Sequence, residues 1–113
     1  MAMDAMQEAL EPWREYASMV EPLFHTLVAP SLSELGAVPV VALLRRCVAA
    51  MAAVMSSSDV GSDVSIVLQS ATDVCHDKLY EGHWRDISLA WRQAYSFCCF
   101  LQALRAWRSS DLV

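Results

Sequence analysis

One stretch in the second half of the chain, residues 74–95 (VCHDKLYEGHWRDISLAWRQAY), concentrates side chains that could bind a metal or move protons. It contains Cys75, His76 and His83 together with three acidic residues. A structural zinc site uses four Cys or His ligands at close, paired spacings. Cys75 and His76 are sequence neighbours, about 100° apart on a helix, and His83 follows a predicted helix end. The spacing therefore argues against a zinc site.

A non-haem iron site makes a different demand, two His and one carboxylate on one face with open positions beside them. His76 is followed directly by Asp77, and His83 is separated from Asp86 by two residues. Neither pair has the His-x-Asp spacing that places two ligands on one side of a strand, and no strand is predicted. We therefore predict no catalytic, cofactor-binding or metal-binding residues, and no stoichiometric iron or zinc.

Cysteine chemistry is the alternative function, a small redox or hydrolytic protein using Cys75 or the adjacent pair Cys98 and Cys99. A cysteine nucleophile needs a base and an orienting group. His76 follows Cys75 directly and should point away from it on a helix. Cys98 and Cys99 lie between two phenylalanines, a setting that favours burial over reactivity. We expect reduced thiols that pack as small apolar side chains in an intracellular protein.

Composition limits the classes of function. The chain has 113 residues, the size of one domain, and 56% of them are apolar, compared with roughly 45–50% in typical soluble domains. The net charge is −5, so the basic face that nucleic-acid binding requires is not expected. Residues 38–55 are nearly all apolar, but Arg45 and Arg46 near their centre predict a bundle helix rather than a membrane span. No signal peptide is evident at the N-terminus.

The elements that must position these side chains are all predicted to be helical. A first helical region, residues 2–28, is interrupted by Pro12 and Pro22 and ends at Pro30, because proline lacks an N–H and clashes one turn back. Residues 31–39 are predicted to connect it to a second helix over 39–55. A Ser- and Asp-rich loop, 56–63, then precedes a third helix, capped by Ser62 or Asp63.

The end of the third helix and the start of the fourth are predicted to form a joint. The third helix should end near residue 81, followed by Gly82 in the left-handed conformation, and the fourth should begin between 84 and 88 and reach about 108. Trp84 and Trp91 are seven residues apart and should share a buried face. We predict an all-α fold, a compact bundle of four to five helices in antiparallel pairs, forming a single domain over residues 1–113.

The stretch DKLYEGHWRDISLAWRQAYSFCCFLQAL, residues 77–104, resembles the N-terminal helical region of the Jumonji-C domain protein 5 (lysine-specific demethylase 8) family. The distinctive motif is a turn followed by an aromatic helix. Its residues are Leu79, Gly82, Trp84, Ile87, Trp91, Arg92 and Tyr95. The segments VALLRR (41–46) and VEPLFHTLVAP (20–30) also fit, so the resemblance covers residues 20–110. The spacing of Gly82 and Ala94 is also that of a tetratricopeptide pair, but no second copy is present.

The resemblance implies a non-catalytic helical module that interacts with proteins. The family's enzymes are Fe(II)- and 2-oxoglutarate-dependent oxygenases that act on protein lysine or arginine residues, and their metal ligands lie in a C-terminal jelly-roll absent from this chain. The resemblance also implies an intracellular location, in the nucleus, with chromatin, or in the cytoplasm. It implies that the chain is a fragment, a truncated product or a divergent stand-alone relative.

The last helix is apolar nearly all round, which is typical of a helix covered on every side. The preceding helices are expected to cover only one side of it. We therefore predict an interaction patch of exposed apolar side chains that promotes partner binding, self-association or aggregation. Its members are Phe97, Phe100, Leu104 and Trp107. The alternative is that the N-terminal region folds back over them with Met6, Leu10, Trp13 and Tyr16.

Overall fold

In a computed structural model of the chain, the structure describes residues 12–56, 62–81 and 87–110. Residues 12–17 are helical, and six elements of different lengths follow. They are α1 (Val20–Leu23), a π-helical turn (Phe24–Val28), α2 (Ala29–Glu34), α3 (Val38–Ser56), α4 (Ser62–Leu79) and α5 (Leu89–Ser110). The described residues contain helices and no strands, which confirms the predicted all-α bundle.

The prolines shape the N-terminal segment, residues 12–34. Pro22 has no N–H to offer the carbonyl of Ser18, and the chain makes a turn at residues 18–19 before α1 begins. Pro30, in contrast, lies inside the helical segment, and our prediction that it ends the region is wrong. The π-helical turn comes just before it, where the N–H of Ala29 bonds to the carbonyl of Phe24. This wider turn accommodates the proline ring, so helix continues to Glu34.

A glycine ends this segment. Gly36 has a φ of +74°, the left-handed conformation that glycine adopts without a Cβ penalty. Its N–H bonds to the carbonyl of Ser33, and the N–H of Ala37 bonds to that of Leu32. This pair of bonds is a Schellman motif, which satisfies carbonyls at the helix end. The chain then reverses into α3, where Arg45 and Arg46 are exposed at the edge of the bundle, as expected.

Helices α4 and α5 form an antiparallel pair. The amide of Gln102 donates to the hydroxyl of Thr72 over 3.2 Å. Further along, the sulfur of Cys98 lies 3.9 Å from that of Cys75. The N-terminus of α5 is capped by Ser88, whose hydroxyl accepts from the N–H of Ala90. The observed starts and ends of α3, α4 and α5 lie within a few residues of the predicted ones.

The core runs through all these elements. In the N-terminal segment, one side chain in every three or four is buried in the core. From α3, α4 and α5, the core takes aliphatic side chains and cysteines together with Met51 and Phe97. The buried side chains that are less than 2% exposed are Val20, Phe24, Leu32, Leu44, Cys47, Met51, Leu68, Cys75, Cys98 and Leu101, among others. Three helices thus pack as successive antiparallel neighbours, while the N-terminal segment lies along the free side of α5.

Candidate functional site

The candidate site is a groove between the N-terminal segment and α5. One wall consists of Leu23, Leu27 and Val28, and the other is an i, i+3, i+4 stripe of α5 that begins at Leu89 and ends at Phe100. The groove has a volume of about 310 Å³. We call it the α5 groove. Its mouth is apolar, since Leu27 is 41% exposed and Leu89 67% exposed.

Polar groups occur only along the α5 wall of the groove. Arg92 and Ser96 are exposed, and Gln93 is half-buried between them. The side-chain oxygen of Gln93 is buried and accepts no hydrogen bond within the described part of the chain. A buried acceptor without a partner costs about 1–3 kcal/mol. The wall therefore combines a cation, an unsatisfied amide and large apolar surfaces.

The predicted interaction patch is largely covered, so that prediction is wrong for two of its four members. Phe97 and Leu104 are buried, and Phe100 and Trp107 are half-buried. The covering comes from the N-terminal segment. The indole N–H of Trp13 donates to the carbonyl of Leu104 over 2.8 Å.

Two further aromatic contacts hold this cover in place. The ring of Tyr16 lies 6.1 Å from that of Trp107. Phe24 stacks on Phe97 at the same centroid distance, 6.1 Å. The structure therefore has the alternative arrangement, in which the N-terminal region folds back over the patch, for Trp13 and Tyr16. Met6 and Leu10 lie outside the described residues.

The residues of the sequence motif do not form one site. Gly82 and Trp84 lie outside the described residues, so the predicted joint is described only at its two ends. Trp91 is half-buried rather than fully in the core, with the ammonium of Lys78 5.6 Å from its ring centroid. Leu79 and Ile87 are half-buried too.

Two more motif residues lie on the α5 surface. Tyr95 is half-buried against the ring of His76, at 5.8 Å, and Arg92 is exposed at the α5 groove. A hydrogen bond with the side chain of Cys99 raises the pKa of the Tyr95 hydroxyl.

The cysteines divide into buried and exposed thiols. Cys47, Cys75 and Cys98 are buried, whereas Cys99 is exposed, contrary to the expectation that its aromatic neighbours would bury it. The S–H of Cys98 donates a hydrogen bond to Cys75, which lowers the pKa of Cys75 although burial acts to raise it. The same hydrogen bond and burial together raise the pKa of Cys98. Burial raises the pKa of Cys47 to about 11. Cys47 donates to the carbonyl of Val67 over 3.6 Å.

The histidines show no catalytic arrangement in the described residues. His76 is exposed, 4.0 Å from the carboxylate of Asp77, and its ring packs on Tyr80 while Cys75 points into the core. His25 is exposed on the π-helical turn. Within residues 12–56, 62–81 and 87–110, no three His, Cys, Asp or Glu side chains are grouped as metal ligands. His83 falls in the gap between these ranges.

The α5 groove as a whole was missed by reasoning from the sequence, although two members of the predicted interaction patch, Phe97 and Phe100, line it. Leu23, Leu27 and Leu89 carried no signal beyond ordinary helical periodicity, and pairing them required knowledge of which face of α5 the N-terminal segment covers. The π-helical turn is the one local feature that could have drawn attention, since such turns are frequent at functional sites.

Comparisons with known proteins return no match. No protein family, no curated protein and no solved structure matches the chain. The resemblance to the Jumonji-C family region therefore stays a prediction. Among the described residues, none of the helices has the combination of length and apolarity needed to cross a membrane.

Proposed function

We propose that the chain is a non-catalytic helical module that binds an amphipathic helix of a partner protein in the α5 groove. The observation that carries the proposal is the opposition of Leu27 and Leu89 across an apolar groove open to water. Exposure of apolar surface to water has a free-energy cost of roughly 25 cal/mol per Å², and a partner's apolar side chains would remove that cost by covering the surface. The groove has two helical walls, and apolar side chains on them are one helical turn apart. This arrangement suits recognition of a helix by its apolar face.

The polar groups of the groove indicate what the partner should carry. Arg92 is exposed at the groove, and its positive charge favours a negatively charged group beside the apolar side chains. The amide of Gln93 favours a hydrogen-bond donor near the groove floor, because its oxygen has no partner among the described residues. The proposed ligand is therefore an amphipathic helix with acidic residues flanking its apolar stripe. An anionic nucleic acid is disfavoured by the net charge of −5.

The resemblance to the Jumonji-C family's N-terminal region supports the same class of role. We propose on that basis a protein partner and a location in the nucleus, the cytoplasm or both. Fe(II) and 2-oxoglutarate belong to the family's jelly-roll domain, and we assign no residue of this chain to them.

The test compares two substitutions at equally exposed side chains. Leu89 lines the groove and Ile66 lies on α4 away from it, and each is 67% exposed. Leu89→Asp places a carboxylate at the start of α5, where a negative charge is compatible with the helix dipole, so the fold should survive. Ile66→Asp is the matched control. Candidate partners are captured with the parent protein, and their affinities for all three proteins are then measured by isothermal titration calorimetry.

We expect a partner whose affinity falls at least tenfold with Leu89→Asp and is unchanged with Ile66→Asp. Equal affinities for both variants, with both folded by circular dichroism, would contradict the proposal. Light scattering over a range of concentrations separates the case in which the occupant is a second copy of the chain. In that case the parent would be a dimer and Leu89→Asp a monomer.

A further inference from the structure

Two buried thiols meet between α4 and α5, apart from the α5 groove. Cys75 and Cys98 are each 0% exposed, and their sulfurs are 3.9 Å apart. That distance is close to van der Waals contact between two sulfur atoms. The two residues are 23 positions apart in the sequence and lie on different helices. Only the packing of the bundle brings them together.

The helix pair holds these sulfurs in register from both sides. On one side the Gln102 amide donates to the Thr72 hydroxyl, and on the other the rings of Tyr95 and His76 are in contact. A disulfide needs its sulfurs at about 2.05 Å, so they must approach by about 1.9 Å. Rotation of the two short side chains would have to supply this movement while the helices stay in place.

The two thiols are also chemically unequal, which suits a stepwise reaction. The S–H of Cys98 points at the sulfur of Cys75 and lowers the pKa of that thiol. Cys75 is thus the better nucleophile of the pair, and Cys98 is positioned to attack it afterwards. The third buried thiol, Cys47, donates instead to a backbone carbonyl, and burial raises its pKa to about 11.

We propose that Cys75 and Cys98 are a redox-active dithiol, which a hydroperoxide converts to a disulfide that cross-links α4 and α5. The Cys75 thiolate attacks one oxygen of hydrogen peroxide, the O–O bond breaks, and hydroxide leaves and takes up the proton that Cys75 lost. The product is a sulfenic acid at Cys75. The sulfur of Cys98 then attacks the sulfur of Cys75, the S–O bond breaks, and the departing hydroxide takes the Cys98 proton. Two thiols and one peroxide become one disulfide and two waters.

Burial of both sulfurs sets the character of this reaction. Peroxide reaches them when α4 and α5 separate locally, so the pair reacts more slowly than the exposed thiol of Cys99. The product closes a loop that contains the end of α4 and the start of α5. Such a cross-link restricts the unfolded chain, and we expect the melting temperature to rise by about 10 °C on oxidation.

The experiment follows the thiols of a Cys99→Ser protein, which lacks the exposed cysteine that would join two chains. The protein is treated with hydrogen peroxide while folded, unfolded with an alkylating reagent present, and analysed by intact mass and peptide mapping. We expect the mass to fall by two hydrogens and the peptide map to show one cross-link, between Cys75 and Cys98. Cys47 should be alkylated. Dithiothreitol should reverse the change in mass and the rise in melting temperature.

Two variants in the same background keep the result interpretable. Cys47→Ala should form the same cross-link, whereas Cys75→Ala should form none. A bridge containing Cys47, a gain of oxygen without any cross-link, or an unchanged mass in the folded Cys99→Ser protein would each overturn the proposal. The mapping of Cys99→Ser alone decides the matter if either alanine variant fails to fold.

Discussion

The two faces of α5 are packed in different ways. The face against α4 has small side chains at its centre, where Ala94 and Cys98 are fully buried and the Cys98 sulfur touches that of Cys75. The face against the N-terminal segment has large rings, such as Phe97 stacked on Phe24, and it leaves the α5 groove open beside them. Both faces are apolar in sequence, yet the centre of one is packed with small side chains and the other has large rings beside an open groove.

The difference follows from the shapes of the side chains. Small residues let two long, regular helices approach closely along their whole contact, and interiors packed this way have few voids. Rings joined to a segment that turns at residues 18–19 and widens at the π-helical turn fill space less evenly. We infer that the α4 face supplies rigidity, whereas the other face provides both stability at its rings and a surface for binding.

The largest expected effect tests whether the N-terminal segment is an integral part of the core. Phe24 is 0% exposed, and Phe24→Ala should lower the free energy of unfolding by about 3–5 kcal/mol. Leu27, on the same π-helical turn but exposed at the groove, is the control, and Leu27→Ala should cost less than about 1 kcal/mol. Urea denaturation measures both. Similar small losses for the two variants would mean that the segment is only loosely attached.

A smaller effect compares the two faces directly. Ala94 is 0% exposed at the α4 face, so Ala94→Leu should overpack it and cost about 1–3 kcal/mol. Its neighbour Gln93 lines the groove and has a buried oxygen that accepts no hydrogen bond from the described residues. Gln93→Leu should leave the free energy of unfolding within about 0.5 kcal/mol of the parent or raise it. Thermal melting of both variants checks this, and equal losses would show the faces to be equally filled.

The smallest effect concerns one hydrogen bond. Trp13→Phe keeps an aromatic ring but removes the N–H that donates to the Leu104 carbonyl, and should cost about 1 kcal/mol. Tyr16→Phe, in the same segment, removes a hydroxyl from a side chain that is 48% exposed and should change little. Denaturation midpoints of the two variants decide. A Trp13→Phe protein as stable as Tyr16→Phe would show that ring packing alone fastens the segment.

Much of the fold was predictable from particular residues. The Ser- and Asp-rich loop and the cap at Ser62 or Asp63 indicated where α4 begins, and Pro22 indicated an interruption of the N-terminal region. These signals are local, because each depends on backbone chemistry within one or two turns. The error at Pro30 is of a different kind, since a π-helical turn precedes the proline and begins at Phe24, a residue buried in the core.

Tertiary structure decided the rest. The apolar circumference of α5 required cover on all sides, and that requirement was evident in the sequence, but which segment provides the cover was not. Trp13 bonds to the carbonyl of Leu104, 91 positions away in the sequence, and Cys75 contacts Cys98, 23 positions away. Such contacts depend on the relative placement of whole helices, which no short-range sequence pattern predicts. The sequence determined where this chain is helical, whereas packing determined which thiols meet and where a groove stays open.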